Sequence, residues 1–339
     1  MIVHTDIKNL PFFKNAVLTI GTFDGVHTGH LQIIHQLKKE AAHIDGESVI
    51  ITFHPHPRMV IDAASQASSH GNYEEIKLLN TLPEKIELLQ KQNIDHLVIV
   101  PFTVAFSEQS AEEYIKDFLV SKLHPHTIII GYDHHFGKNR QGNYKLLEYY
   151  QSECNFKVKE IPEHVLHNVI ISSTRIRHAL DEGDTNTANE YLGYTYFFEG
   201  TVIEGDKLGR TLGYPTANIF IDDKNKLVPG NGVYAVEVSI REHGGSKGTA
   251  RPLSGHAQEI SVKERLAGMM NIGVRPTIGG TKKVIEVNIF DFDRSIYDET
   301  IRIYVHYFLR EEIKFNSLQA LKEQLSADKA HALKILKNS

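Results

Sequence analysis

Short apolar runs recur through the first half of the chain, at Ala16 to Ile20, Ser48 to Phe53, His96 to Val100 and Thr127 to Ile130, and Lys157 to Ile161 reads as a fifth strand. The apolar runs read as buried strands, because a strand covered on both faces shows a run rather than an alternation. Between the runs, apolar positions recur at helical spacing. Leu31, Ile34, Leu37 and Ala41 share one helical face, and Pro83 opens a second helix carrying Ile86, Leu88 and Leu89. Ser110-Ala111-Glu112-Glu113 forms a capping box at the start of a helix that should run to about Lys122. Ala63 to Asn72 is small, polar and turn-rich, and is expected to be a mobile loop. Strands alternating with helices imply a Rossmann-like parallel sheet with helices on both faces. Ligands of such sheets bind beyond the carboxyl ends of the strands.

From Tyr196 the period changes. Tyr234, Val236, Val238 and Ile240 share a face, as do Ile285, Val287 and Ile289, and then Ile301, Ile303, Val305 and Tyr307. Period two in successive segments predicts an antiparallel β-barrel or sandwich. Ser317 to Leu336 closes the chain as an amphipathic helix, with Leu318, Leu321, Leu325 and Leu336 on one side. Asp181 to Leu192 holds one short helix and a turn. The change of period places a domain boundary near 184–190, giving an α/β domain over 1–185 and a barrel with its C-terminal helix over 186–339. Glu242 to Ala267 separates two strands with a glycine-, serine- and charge-rich stretch, expected to be flexible or partly helical, with no function assigned.

Composition narrows the class. At 339 residues, 41% hydrophobic and 23% charged, the chain is an ordinary globular protein with room for two domains. A formal charge of −5 gives no basic footprint, so nucleic acid is not expected as a partner. The single cysteine, Cys154, excludes an intrachain disulfide or a cysteine metal cluster and reads as a small core residue. Met1 to Leu10 lacks a cationic region followed by an apolar core, and no run of about 18 apolar residues exists. No membrane span is expected, and the cytoplasm is the expected location.

The candidate chemistry sits at the strand ends. Gly21-Thr22-Phe23-Asp24-Gly25-Val26-His27-Thr28-Gly29-His30 is a glycine-rich turn between the first run and the first helix. Backbone amides and the positive end of the helix dipole there suit a phosphate, and His27 and His30 can reach the same one. Neither the GxGxxG nor the P-loop pattern occurs, so any nucleotide is held differently. His54 and His56 would need a third ligand to hold a metal, and none is evident nearby. In Ile171-Ser172-Ser173-Thr174-Arg175-Ile176-Arg177 the hydroxyls cap a helix whose first turn carries Arg175. Arginine there opposes the dipole, a penalty that a bound phosphate would offset.

These stretches resemble the HxGH nucleotidylyltransferases. Gly21 to Gly25 narrows the resemblance to bacterial bifunctional riboflavin kinase/FAD synthetases, and Phe53 to Pro57 is similar to that family's F-x-P-H-P. Gly131 to Gly137 is similar to its G-x-D/N-F-x-F-G, with His134 in place of the first phenylalanine. The resemblance implies that His27 and His30 steady the ATP phosphates while a phosphate ester attacks the α-phosphorus. It implies that Ser173, Thr174 and Arg175 grip the leaving pyrophosphate, and that Asp133 faces the nucleotide or its magnesium. Gly21, Thr22, Phe23, Asp24 and Gly29 are the implied nucleotide contacts.

In the second domain, Gly205, Gly209 and Gly213 allow backbone amides close to phosphates, and Lys207 and Arg210 add positive charge. Thr216 and Asn218 offer two neutral oxygens facing one way on an extended strand, which suits Mg2+ already neutralised by nucleotide phosphates. Gly209 to Asn218 resembles the riboflavin kinase motif G-R-T-L-G-Y-P-T-A-N. Three further stretches are similar to that family: Asn271 to Thr277 (N-I-G-x-R-P-T), Asp291 to Asp298 (D-F…L-Y-G) and Leu309 to Phe315 (L-R-x-E-x-K-F). The resemblance makes Glu286 the catalytic base, and Pro215, Asn271 and Arg310 contacts for ATP or flavin. Asn288 stands where the family has histidine, and Asp298 where it has glycine.

The expected activity is therefore phosphorylation of riboflavin by ATP to FMN, then adenylylation of FMN to FAD with release of pyrophosphate. Two alternatives stand beside it. One is an adenylyltransferase for another phosphate ester with a passive flavin- or nucleic-acid-binding barrel, against which Glu286 argues. The other is a non-catalytic flavin sensor, which should have lost His27, His30 or Glu286.

Overall fold

A computed structural model describes residues 1–68, 75–132, 134–161, 171–205, 209, 213–241, 265–277 and 280–337. Contacts group the chain into two compact units, one formed by Met1–Ser172 and the other beginning at Ser173.

The first unit carries strands β1 (Ile2–His4), β2 (Val17–Ile20), β3 (Ser48–His54), β4 (His96–Pro101), β5 (Thr127–Gly131) and β6 (Lys157–Ile161). Its helices are α1 (Thr28–His43), α2 (Pro57–Ser68), α3 (Leu82–Gln90), α4 (Val104–Ser107), α5 (Ala111–Glu113), α6 (Ser121–Leu123) and α7 (Tyr144–Tyr150). The strands form one parallel sheet in the order β1-β4-β3-β2-β5-β6. Central β2 is buried along its whole length, as a doubly covered strand must be. The expected capping box is present: Ser110 caps Glu113, and α5 continues through a π-helical stretch, Tyr114–Val120, into α6. That stretch presses Tyr114, Ile115, Phe118 and Leu119 into the core beneath the sheet. Cys154 packs against the same core, half-buried.

One expectation fails here. Ala63 to Ser68, expected as loop, belongs to α2. Pro57 fits the first helical position, where its missing N–H costs nothing, and Ala63 and Ala64 are strong helix formers. The remainder of that stretch, 69–72, lies outside the described residues.

The second unit begins with α8 (Ser173–Asp181) and α9 (Thr185–Leu192). It continues with β7 (Phe197–Ile203), β8 (Ala217–Phe220), β9 (Gly232–Ile240), β10 (Leu266–Thr277), β11 (Gly280–Ile289), β12 (Thr300–Arg310) and α10 (Leu318–Leu336). The strands close an antiparallel barrel in the order β10-β11-β8-β7-β12-β9. Ile285, Val287, Ile289, Ile301, Ile303 and Val305 are all buried, as the period-two pattern requires. Of the expected insertion, 242–264 lies outside the described residues; β9 and β10, which it joins, pair directly, with Leu266 opposite Val238.

Helix α10 is capped by Ser317 and packs on β9, β10 and β12, with Leu325 and Leu336 of the expected face against the barrel core. Leu318 is 72% exposed, whereas Asp328 and Ala332 are buried. Asp328 lies on that same stripe, a buried carboxylate that a pattern read from apolar residues alone misses. Asp328 accepts from Arg310 Nε at 3.0 Å and from Nη2 at 2.7 Å, a two-pronged pair that fastens the helix to β12.

Two candidate active sites

The sheet order places a topological switch beside β2. The chain runs from β2 outward through β3 to β4, then returns to lay β5 on the other side of β2. A crevice at such a point, beyond the strand ends, is where ligands bind in open α/β sheets. The Gly21–His30 turn leaves β2 at that place. Phe23 (φ 47°) and Val26 (φ 39°) adopt left-handed backbone there, which is costly for a β-branched valine and is held only by surrounding contacts.

His27 is the N-cap of α1, where the chain bends out of the helix with extended geometry. Its Nδ1 accepts the His30 amide at 3.4 Å, so in the neutral ring the proton lies on Nε2. The two imidazoles stack with centroids 3.7 Å apart and planes 18° apart. A Cβ on Gly29 would come within 3.2 Å of the His27 ring, so the glycine makes room for the stack. Phe23 packs against the His30 ring, with centroids 4.9 Å apart. Burial, then the neighbouring His27 and Lys85, hold the His30 imidazole well below its ordinary pKa. His30 is therefore neutral near pH 7, and its buried Nδ1 has no hydrogen-bond partner among the described residues.

The other implied contacts divide. The Gly21 amide donates to the Ile51 carbonyl at 3.0 Å. Asp24 is buried, and its carboxylate accepts from the Leu79 amide at 3.0 Å and the Asn80 amide at 3.3 Å. These bonds tie the turn to the lead-in of α3. The Thr22 carbonyl accepts from Lys85 Nζ at 2.7 Å and from the Thr52 hydroxyl at 3.1 Å. Sequence reasoning overlooked Lys85 and Thr52: each sits inside an ordinary helix or strand, and only the fold brings them to the turn.

The backbone at Ile171 lies against Gly29, its carbonyl 3.9 Å from where a Cβ would stand. Ser173 and Thr174 open α8 in the second unit, and Arg175 is exposed in its first turn, as expected. Asp133 lies outside the described residues. Its neighbour Gly131 ends β5 at the switch point, and Phe136 stacks on Tyr114 at 5.0 Å. His54 and His56 flank the end of β3, and no group of three metal-ligating side chains occurs among the described residues.

In the barrel, register does the assembling. Asn218 on β8 is directly opposite Glu286 on β11, and Glu286 is directly opposite Asn271 on β10. Opposed residues of an antiparallel ladder share a face with Cβ atoms roughly 5 Å apart. Three expected site residues, far apart in sequence, thus form one row. Thr216 lies two residues before Asn218 on the same extended run. Gly205 and Gly209 close over this pair. A Cβ on Gly205 would lie 1.9 Å from Asn218 Nδ2, and one on Gly209 would lie 2.3 Å from the Tyr214 carbonyl and 3.5 Å from Thr216 Oγ1. Gly213 turns the chain back with φ 81°. Lys207 and Arg210 lie outside the described residues.

Arg275 Nη2 donates to Glu286 Oε1 at 2.6 Å, a partner that the sequence motif contained but did not reveal. Asn271 Nδ2 donates to Glu312 Oε1 at 3.2 Å. Arg310, an implied ligand contact, has its guanidinium engaged by Asp328 and by the Glu311 carbonyl at 2.8 Å. Both departures from the family pattern have a structural account. Asn288 is buried and donates to the Pro215 carbonyl at 2.6 Å, so it holds the motif strand in place. Asp298 adopts φ 63°, a left-handed position natural to glycine and tolerated by aspartate.

A phosphate-suited turn at the switch point of a parallel sheet, and an oxygen-lined glycine cradle facing a carboxylate on a barrel, are the equipment of a nucleotide-dependent transferase with two centres. The comparisons agree. The FAD synthetase family model matches residues 10–175, and the riboflavin kinase family model matches residues 192–336. The chain is 36% identical to the bifunctional riboflavin kinase/FMN adenylyltransferase of Buchnera aphidicola subsp. Schizaphis graminum, over 93% of this chain and 92% of that protein. It is also 36% identical to the enzyme of the same name from Listeria monocytogenes, over 93% and 90%. A crystal structure described as a macrolide-efflux protein from Streptococcus pneumoniae is similar with a TM-score of 0.80 and 27% identity, over 97% of each chain. The chain belongs to the family of bifunctional riboflavin kinases/FMN adenylyltransferases, and both catalytic domains are present. Efflux is said only of that neighbour; among the described residues no helix is long and apolar enough to cross a membrane.

Proposed function

We propose that the chain makes FAD in two steps, each on its own domain. Residues 186–339 transfer the ATP γ-phosphate to the riboflavin 5′-hydroxyl, and residues 1–185 join the resulting FMN to AMP and release pyrophosphate. The single observation that carries the kinase half is the cross-strand pairing of Glu286 with Asn218. It sets a proton acceptor beside a pair of neutral oxygens under a glycine cover.

The donor set suits Mg2+: Thr216 and Asn218 supply neutral oxygens, and Gly205 lies so close over Asn218 that a Cβ there would collide with its side-chain amide. When bound there with ATP, the ion would neutralise charge on the transferring phosphates. Glu286 accepts the proton of the attacking hydroxyl, and Arg275 fixes the carboxylate through Oε1. In the α/β domain FMN arrives ionised, so orientation and charge stabilisation matter more than a base. His27 and His30 serve that step as hydrogen-bond donors to phosphate oxygens, with Arg175 on the leaving pyrophosphate. The enzyme acts on small molecules in the cytoplasm.

The direct experiment incubates purified protein with riboflavin and Mg-ATP and separates riboflavin, FMN and FAD over time. FMN followed by FAD is expected; FAD formed only from supplied FMN would leave the barrel passive. Asn218→Ala should lower riboflavin phosphorylation by roughly 10²-fold, the order of a lost contact to a charge-neutralising ion, and leave adenylylation of supplied FMN unchanged. Equal loss of both activities would remove Asn218 from the metal assignment. Gly205→Ala acts on the same place by steric pressure. It should raise the Mg2+ concentration needed for half-maximal phosphorylation, and an unchanged Mg2+ dependence would mean that the cover is not part of the site.

A further inference from the structure

Lys85 is 6% exposed, and its ammonium hydrogen-bonds to an uncharged group, the Thr22 carbonyl. Lysine is rarely buried without a pair, and among the described residues no ion pair forms to Lys85. Its surroundings explain where it sits. The Asp24 carboxylate reaches from the turn to the amides leading into α3, while Lys85 reaches from α3 back to the turn. The two ties brace a segment whose Phe23 and Val26 hold left-handed backbone, and which ends in the stacked His27 and His30.

We propose that Lys85 is a positioning residue for adenylyl transfer: a buried cation that braces the Gly21–Gly25 turn at the Thr22 carbonyl and directs a positive field toward the bound nucleotide phosphates. This rests on the adenylylation reading of the α/β domain. A charge in a low-dielectric interior acts more strongly and at longer range than the same charge in water. Burial holds the Lys85 pKa below its ordinary value, and the Asp24 carboxylate offsets only part of that by favouring the charged form. The same positive charge helps lower the pKa of His30. Lys85 thus supplies charge at a place where His30 is neutral. Thr52 shares the Thr22 carbonyl but carries no charge, which allows brace and field to be separated.

The test uses the full chain with FMN and Mg-ATP, and reads kcat and KM for FAD formation alongside riboflavin phosphorylation by the same sample. Lys85→Met should reduce kcat for FAD formation by about 10²-fold with riboflavin phosphorylation intact. Lys85→Arg should recover part of the rate, and Thr52→Val should cost less than about threefold. The imidazole titration of His30, followed by NMR, should move upward in Lys85→Met and stay in place in Thr52→Val. Should Lys85→Met lose its fold, Lys85→Gln keeps a donor for the carbonyl and removes the charge; the same drop and the same NMR shift are expected of it. Parental FAD formation in these charge-removing variants would overturn the proposal, as would an unmoved His30 titration or an equal loss in Thr52→Val. If the parent itself forms no FAD from FMN, the adenylylation reading has failed instead.

Discussion

Glu286→Gln should leave riboflavin unphosphorylated while the same protein, given FMN and ATP, still forms FAD at the parental rate. The substitution keeps the side chain's shape and its acceptor for Arg275 Nη2, and removes only the capacity to take a proton. A primary hydroxyl is a poor nucleophile until its proton is accepted, whereas the FMN phosphate is already anionic at neutral pH. Loss of a general base is typically worth about 10²–10⁴ in rate. The geometry confines the effect to one centre, because the carboxylate stands opposite Asn218 in the barrel ladder. Retained phosphorylation would reduce Glu286 to an anchor for Arg275. Loss of both activities would point to damage to the barrel rather than to its chemistry, and Arg275→Lys, which preserves the charge pair, would then show whether the pair is mainly structural.

His30→Ala should do the converse: FMN made from riboflavin at a near-normal rate, with FAD formation down by about two to three orders of magnitude, the usual cost of one charge-stabilising donor. The His27 ring would lose its stacking partner as well, since the centroids are 3.7 Å apart. The pH dependence follows from the depressed His30 pKa. The imidazole is neutral at and above its unfolded value of about 6.5 and takes up a proton only well below it. This contribution to stability is present above the unfolded pKa and is lost as pH falls toward the folded one. FAD formation should therefore show no His30 titration between pH 6.5 and 8, and should decline on the acid side. Normal FAD output from His30→Ala would remove the histidine pair from the mechanism.

Sequence reading found what repeats or alternates. The four buried strands β2 to β5 came from apolar runs such as Ile128 to Ile130, and the barrel from alternation such as Ile301, Ile303 and Val305. It missed β1, three residues at the sheet edge, too short and too exposed to leave a pattern. It missed α2 altogether, because prolines and small polar residues suit a turn or loop as well as a helix. On α10 it placed Leu325 and Leu336 on the packed face but did not include Asp328, whose pairing with Arg310 is invisible to a count of apolar positions. Of the candidate sites, the motifs singled out His27, His30, Thr216, Asn218 and Glu286 along the chain. They could not say that Glu286 and Asn218 are neighbours, which is a property of register, nor that Lys85 reaches the Thr22 carbonyl, which is a property of packing.

The row formed by Asn271, Glu286 and Asn218 has a consequence for how the barrel can change over evolutionary time. Side chains on a strand alternate faces, so one residue inserted or deleted within β11 would carry Glu286 to the other side of the wall while leaving every site residue in the sequence. Substitutions can be absorbed here, as Asn288 and Asp298 illustrate, because each asks only for a local bond or a local backbone angle. A frame change in the ladder has no local remedy. Length changes are therefore expected in the connections rather than in the ladder, and the join between β9 and β10, from Ile240 to Leu266, is the longest between two strands of the barrel.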